Sequence, residues 1–411
     1  MITATRAEQA VGLRAVRART AFDGERFLPD GVTVLIEGAT IRGVEGYGFD
    51  VPEDCPVSTM SGTLLPGLID THTHLVGNSR PDALDRVAGY SEQELESVMA
   101  EGLRRQLGAG VTTVRDLGDR GFCVADRRSG AGEPQVVAAG PPITSVRGHC
   151  HYLGGEVTGA ADVRTAIAER VDHAVDVVKV MASGGMLTPG TDQLGCQFSD
   201  ADLGLIVELA HAEGLPVTAH AHALVAVRQA ADAGVDQVEH CSCLTEQGPT
   251  VDVDLYARLA AAGVVVCPTA GGDFSRMPEP PPHIVALMER MGTTFEQMQG
   301  RRREVLAQLH ESGVRLVGGV DSGINQVKPH GMLGLGVAEH LRAGIPVDLV
   351  LAGVTALAAE ACGLGASKGR LRRGFDADLT VVAADPHADD EALTKIEAVV
   401  LRGRQVGRLT G

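Results

Sequence analysis

The stretch Pro216-Val-Thr-Ala-His-Ala-His-Ala-Leu-Val-Ala-Val-Arg-Gln-Ala-Ala-Asp-Ala-Gly-Val-Asp-Gln-Val-Glu-His-Cys241 decides the fold class. Its opening run, Pro216–His222, is short and β-rich. Leu224–Ala233 carries apolar residues at helical spacing, and Gln237–Cys241 is a second short strand. Gly234 stands where the helix must end, and glycine adopts the left-handed conformation that turns a chain back toward the next strand. A strand, a helix and a strand joined by such short connections make a parallel βαβ unit.

The same alternation extends outward on both sides. Strands are predicted at Thr63–Asp70, Val111–Leu117, Gln135–Ala139, Val177–Ala182, Val264–Thr269 and Arg315–Asp321. Helices are predicted at Ser91–Leu107, Asp162–Ala174, Ser199–Ala212 and Thr294–Glu311, several of them followed by Gly. Eight such units predict a closed (β/α)8 barrel over residues 63–364 rather than an open doubly wound sheet. The flanks differ. Val34-Leu-Ile-Glu-Gly38 and Ala39-Thr-Ile-Arg-Gly-Val44 near one end resemble Asp378-Leu-Thr-Val-Val382 and Ala398-Val-Val-Leu-Arg-Gly403 near the other. Residues 1–62 and 365–411 are therefore expected to form one composite β-sandwich domain. The Pro-rich segment 277–283 is expected to be a loop, because proline suits neither a helix interior nor a central strand.

Composition narrows the function. Apolar residues are 44% of the 411 and charged residues 22%, ordinary for a globular protein, while aromatics are only 3%, so Val, Ala and Leu must fill the core. A net charge of −17 argues against a nucleic-acid surface, which needs clustered cations. No apolar run reaches the ~20 residues of a membrane span. The first residues lack the apolar stretch of a signal peptide, and the eight cysteines are scattered with no CxxC pair. These features suggest reduced thiols and a cytoplasmic protein acting on a small molecule; self-association is left open.

The chemistry sits at the predicted strand ends. Asp70, His72 and His74 alternate along one strand and share a face, so the two imidazoles can reach one metal ion. Asp70 either supports them or stands aside. Lys179 interrupts the apolar strand Val177-Val-Lys-Val-Met181. His220 and His222 close one strand, His240 the next, and Asp321 the last. Singly, each has a bland reading: a salt-bridged lysine, a hydrogen-bonded core histidine, a polar rim. Together they put ligand-type residues at the C-terminal ends of five strands, the barrel face where catalytic groups converge.

In order and placement these residues resemble the amidohydrolase superfamily. Leu65-Pro-Gly-Leu-Ile-Asp-Thr-His72 and Gly374-Phe-Asp-Ala-Asp-Leu379 match its flanking segments, so the resemblance covers nearly the whole chain. Gly110-Val-Thr-Thr-Val-Arg-Asp116, Lys179-Val-Met-Ala-Ser-Gly-Gly185 and Ala219-His-Ala-His222 are similar to the imidazolonepropionase-related branch, which includes Xaa-Pro dipeptidases. The resemblance implies two divalent metal ions, with zinc expected. His72, His74 and Asp321 would hold one ion and His220 and His240 the other, with carboxylated Lys179 bridging them. It implies hydrolysis of an amide C–N bond in a dipeptide, N-acyl amino acid or cyclic amide by a metal-bridging hydroxide. Asp321 would move the proton, and His240 would share in the catalytic centre.

The loop Arg147-Gly-His149-Cys-His151-Tyr152 follows the third strand toward the same face. Gly148-His149 matches a pair in the related dipeptidases, whereas His151 departs from their pattern. Arg147, His149, His151, Tyr152, His222 and His330 are the candidate substrate contacts, and Lys328 is a further candidate at the lip. Arg147 would clamp a substrate carboxylate if it is not simply a surface residue. His222 either touches substrate or supports a ligand. Two competing readings stay open: a lactone, carbamate or organophosphate ester hydrolase on the same centre, and a barrel scaffold without catalysis.

Overall fold

The computed structural model describes residues 12–277 and 282–406. The chain opens on four strands: β1 (Arg14–Phe22), β2 (Val32–Glu37), β3 (Thr40–Gly46) and β4 (Val57–Pro66). The alternating region follows with β5 (Leu68–Thr73), α1 (Glu92–Gly108), β6 (Val111–Asp116), β7 (Gln135–Ala138), α2 (Gly159–Asp172), β8 (Val178–Met181), α3 (Asp200–Ala212), β9 (Val217–Ala223), α4 (Leu224–Ala233) and β10 (Gln237–Thr245). It continues through α5 (Val253–Ala261), β11 (Val265–Cys267), α6 (Pro282–Arg290), α7 (Phe295–Glu311), β12 (Arg315–Leu316) and α8 (Leu333–Arg342). The last strands are β13 (Leu379–Val382), β14 (Ile396–Leu401) and β15 (Arg404–Val406).

The helices begin and end where local chemistry dictates. Ser91 and Glu94 form a reciprocal capping box ahead of α1, as Thr294 and Gln297 do ahead of α7. Gly234 ends α4 in the left-handed region, with φ of 80°. The middle of the chain is mixed α/β with parallel sheets. Strands β8-β9-β10-β11-β12 form one sheet and β5-β6-β7 another. Backbone hydrogen bonds link the two at both margins. Asp176 N–H donates to Ala138 O (2.9 Å) and Ile143 N–H to Lys179 O (2.8 Å) on one side, and Thr71 N–H donates to Gly318 O (3.1 Å) and Asp321 N–H to His72 O (2.9 Å) on the other. The faces are covered by small apolar residues, among them Val178, Val180, Val217, Ala219, Ala221 and Val238.

Four expectations change. The chain ends do join, but in one eight-stranded sheet of order β15-β14-β13-β4-β1-β2-β3, with the two-residue strand Phe27–Leu28 on β1, where a sandwich was expected. The strand expected over Thr63–Asp70 is two strands. Residues 63–66 pair with β13 in the terminal sheet, and β5 begins only at Leu68. The break falls at Pro66-Gly67. The Gly67 N–H donates to Asp378 O (2.7 Å), and a side chain there would run into Thr112 and Asp378. Finally, in the expected loop 277–283, residues 278–281 lie outside the described residues, and Pro282 already starts α6, a first-turn position proline tolerates. The last strand of the parallel region is also shorter than expected. It covers Arg315–Leu316 only, and beyond it Gly319 comes so close to β5 that a Cβ would meet His72 N at 2.7 Å.

Gly67 joins the terminal sheet to the strand that carries His72. Gly67→Ala should destabilise the fold by about 1–3 kcal/mol, the usual cost of forcing a methyl into filled space. Calorimetry should then show a Tm lowered by several degrees; an unchanged Tm would mean that Thr112 yields freely.

Candidate metal centre

Register brings the predicted residues together. Lys179 lies beside Thr218 and Met181 beside His220, while His220 pairs with Glu239 and Ala221 with His240. Strict alternation would send Glu239 and His240 to opposite faces of β10. His240, however, has a left-handed φ of 68°, which breaks the pleat and lets both neighbours serve the same centre. Asp321 (φ 62°) and Thr269 (φ 48°) adopt the same unusual conformation. Non-glycine residues held there are strained, and such strain clusters at functional sites.

The rings form one continuous group. His72 lies 5.4 Å from His74 and 5.2 Å from His240, centroid to centroid. His240 lies 4.4 Å from His220 and 4.3 Å from His222, and His149 stands 4.6 Å from His220. Asp321 Oδ1 approaches the Nε2 atoms of His72 (3.4 Å) and His74 (3.2 Å). Among the described residues, two clusters of donor atoms suited to a cation, each within 4.8 Å, are built from residues the sequence singled out: His72, His74 and Asp321, and His220, His222 and His240; a third joins His72 to Glu239 and Cys267. Sequence reasoning left His222 between substrate contact and support. The structure groups it with the second set, its Nδ1 3.0 Å from Ser242 Oγ. Lys179 is buried beside both clusters, and burial lowers its pKa.

Burial also pushes the imidazoles toward the neutral form, the one that binds metals. It brings His149 and His222 down to about 3 and His220 and His240 well below the ordinary value. His72 falls to about 4 through burial and the Lys179 charge. Burial disfavours the His74 cation too, but its hydrogen bond to Asp321, the charges of Asp321 and Asp116 and the Gly118 carbonyl together outweigh this and its pKa rises. Asp321 moves the other way: burial raises it, yet His72, His74 and Lys328 hold it far below the usual carboxylate range.

The Amidohydrolase family profile matches residues 63–406, from the end of β4 to β15. The chain belongs to the amidohydrolase family. Imidazolonepropionase from Rhizorhabdus wittichii is 28% identical over 405 residues, covering 89% of this chain and 90% of that protein. Ochratoxinase from Aspergillus niger is 25% identical over 399 residues, covering 86% and 78%. Among solved structures, a Xaa-Pro dipeptidase with bound methionine superposes with a TM-score of 0.83 at 22% identity, over 96% of this chain and all of that one, a likeness of fold. The family and these relatives make this amidohydrolase a hydrolase acting on C–N bonds.

The remaining sequence candidates are placed unevenly. His149 is buried with its Nδ1 2.9 Å from Thr188 Oγ1, and its ring fills the space that any side chain at Gly185 would need. His151 and Tyr152 are half-buried and meet edge to face at 5.6 Å. His330 is held by the Gly77 carbonyl (3.1 Å) and presses against Gly102 of α1 and Gly323. Arg147 is exposed; its backbone N–H donates to Glu156.

Glu239 was missed. It is fully buried, and its Oε2 accepts from His72 Nδ1 at 2.7 Å. Its Oε1 accepts from Thr218 Oγ1 (2.6 Å) and Arg115 Nη2 (3.1 Å). Burial alone would raise its pKa, but His72 and Arg115 bring it down to about 2. Arg115 itself is buried, bonded to Thr71 O (2.8 Å) and Gln237 Oε1 (2.6 Å). The signal was present: a charged residue inside an apolar strand, as at Lys179. Thr269, with Oγ1 2.8 Å from His240 Nδ1, gave no such signal. Asp70 turns out to be a brace, accepting from Gln106 Nε2 (2.9 Å) and from the His72 and Val320 amides (both 3.3 Å), with burial lifting its pKa to about 6.

Proposed function

We propose that the parallel strands form one closed (β/α)8 barrel, that its strand ends would hold two divalent metal ions, and that the protein hydrolyses the amide bond of a small molecule. The convergence of His72, His74, His220, His240 and Asp321 around buried Lys179 carries this reading. The donors fit the group: neutral imidazole nitrogens and a carboxylate oxygen suit zinc, the expected metal. His72, His74 and Asp321 hold one ion. His220 and His240 would hold the other, and Lys179, as its carbamate, would be a ligand common to the two. When bound, the ions polarise the scissile carbonyl and acidify water. Asp321 then accepts the proton of the attacking water and delivers it to the leaving nitrogen. Glu239 fixes the His72 ring by accepting its Nδ1 proton, so that Nε2 faces Asp321 and the first ion.

The test is metal analysis together with hydrolysis. Protein prepared with zinc and bicarbonate should carry metal and cleave members of a panel of dipeptides, N-acyl amino acids and cyclic amides. Protein that takes up no metal, or that cleaves lactones and esters but no amide, would refute the reading. Glu239→Gln should bind metal about 10–100-fold more weakly, as is usual when the partner that orients a ligand histidine loses its charge. Titration against a chelator reads this directly. An unchanged affinity would mean that Glu239 only balances Arg115.

A further inference from the structure

A small, partly open pocket adjoins the second histidine cluster, lined by His240, Ser242, Thr269, Phe274, Arg302 and Glu339. Two cations belong to this corner, Arg302 on α7 and Lys328 in the loop beyond Asp321, and both are only partly exposed. Among the described residues neither has a carboxylate within ion-pair distance, although this chain holds 53 acidic side chains. Glu339, the pocket's own acid, is taken up by Arg303 and Arg342 (both 2.9 Å). The Arg302 fork has only a long contact to Pro268 O (3.4 Å), and Lys328 Nζ donates to Thr269 O (2.8 Å).

Burying charges is costly unless they are compensated, and here the compensation reaches both cations without a direct ion pair: the Asp321 charge is felt at each, and that of Glu339 at Arg302. Here the Arg302 charge is felt at Lys328, and both are felt at His222, so the two cations and that ring face common space. Thr269 fixes the spacing. Its carbonyl holds Lys328, and its hydroxyl holds His240.

We infer that Arg302 and Lys328 form the subsite for a substrate carboxylate carried next to the scissile amide. This inference rests on the proposed function and narrows it to dipeptides and N-acyl amino acids. Neutral amides and cyclic amides fall outside it. It also moves carboxylate recognition from Arg147, which is exposed, to the Arg302 guanidinium on the pocket wall and the Lys328 ammonium that the wall residue Thr269 holds. A planar fork beside a point charge is a good match for a carboxylate.

The experiment compares acids with their neutral amides on the metal-loaded enzyme. Glycyl dipeptides should be cleaved with kcat/KM at least tenfold above their C-terminal amides. Arg302→Gln should raise KM for the acid at least tenfold more than for the amide, with kcat for the acid changed less than KM, the pattern of lost ground-state binding. Lys328→Gln should do the same from a different element, and Lys328→Arg should restore part of the preference. Equal effects on acid and amide in both Gln variants would overturn the subsite.

Calorimetric titration with N-acetyl-L-leucine and N-acetyl-L-leucinamide separates the two readings. If the acid binds tenfold tighter, and Arg302→Gln abolishes that difference while no amide is cleaved, the subsite stands and the proposed function falls. If amides are cleaved but the acid binds no better than the amide, the function stands and the subsite falls.

Discussion

Lys179→Ala should leave about one metal ion or none per chain in place of two, with kcat lower by orders of magnitude. The expectation follows from position. Lys179 is almost fully buried on β8, beside Thr218 and within the charge field of Glu239 and Asp321. Burial drives its ammonium toward the neutral amine, the form whose nitrogen adds to the carbon of CO2 with loss of a proton. On the proposed reading, the resulting anion would offer two oxygens to the two cations. Alanine supplies none, so two like charges would face each other unbridged. Elemental analysis reads the loss of metal, and short-chain carboxylic acids should restore part of the rate by entering the vacated space. A Lys179→Ala protein with full metal content and full activity would rule out the binuclear centre.

Asp321→Asn should separate turnover from metal retention. The amide keeps the shape and one oxygen donor toward His72 and His74, but it cannot take up a proton. Removing a general acid–base commonly costs 10²- to 10⁴-fold, so the rate should fall by at least ~10²-fold while most of the metal stays bound. Folding should be little affected, because asparagine is among the residues that best tolerate the left-handed conformation Asp321 occupies. Activity above a tenth of the parent would mean that another residue carries the proton.

The sequence showed the alternation and the ligand-type residues at the strand ends because both depend on local pattern. The βαβ unit around Gly234 and the spacing of His72 and His74 are readable without knowing what lies far away. Hidden were the features set by contacts distant in sequence. Nothing near Pro66 indicates that residues 63–66 pair with β13. Glu239 stood out as a charge inside a strand, but its place beside His72 did not: it depends on the backbone of His240 leaving the extended region, which alternation cannot foresee. Arg302 looks like one of three successive arginines on a helix. Only the packing of α7 shows that Arg303 next to it finds Glu339 while Arg302 turns to the pocket.

The pairing of β4 with β13 has a consequence for biogenesis. The strand leading into His72 is completed on one side by residues that leave the ribosome more than 300 residues after it. Contacts so distant in sequence form late and slowly. Until they form, Gly67 lacks its bond to Asp378, and β5 has no fixed point of departure. A nascent chain could thus collapse much of its apolar interior early and still have no ordered first ligand pair. Ion capture would become one of the last events in maturation, and a shortened transcript would give a protein that is folded in part and empty.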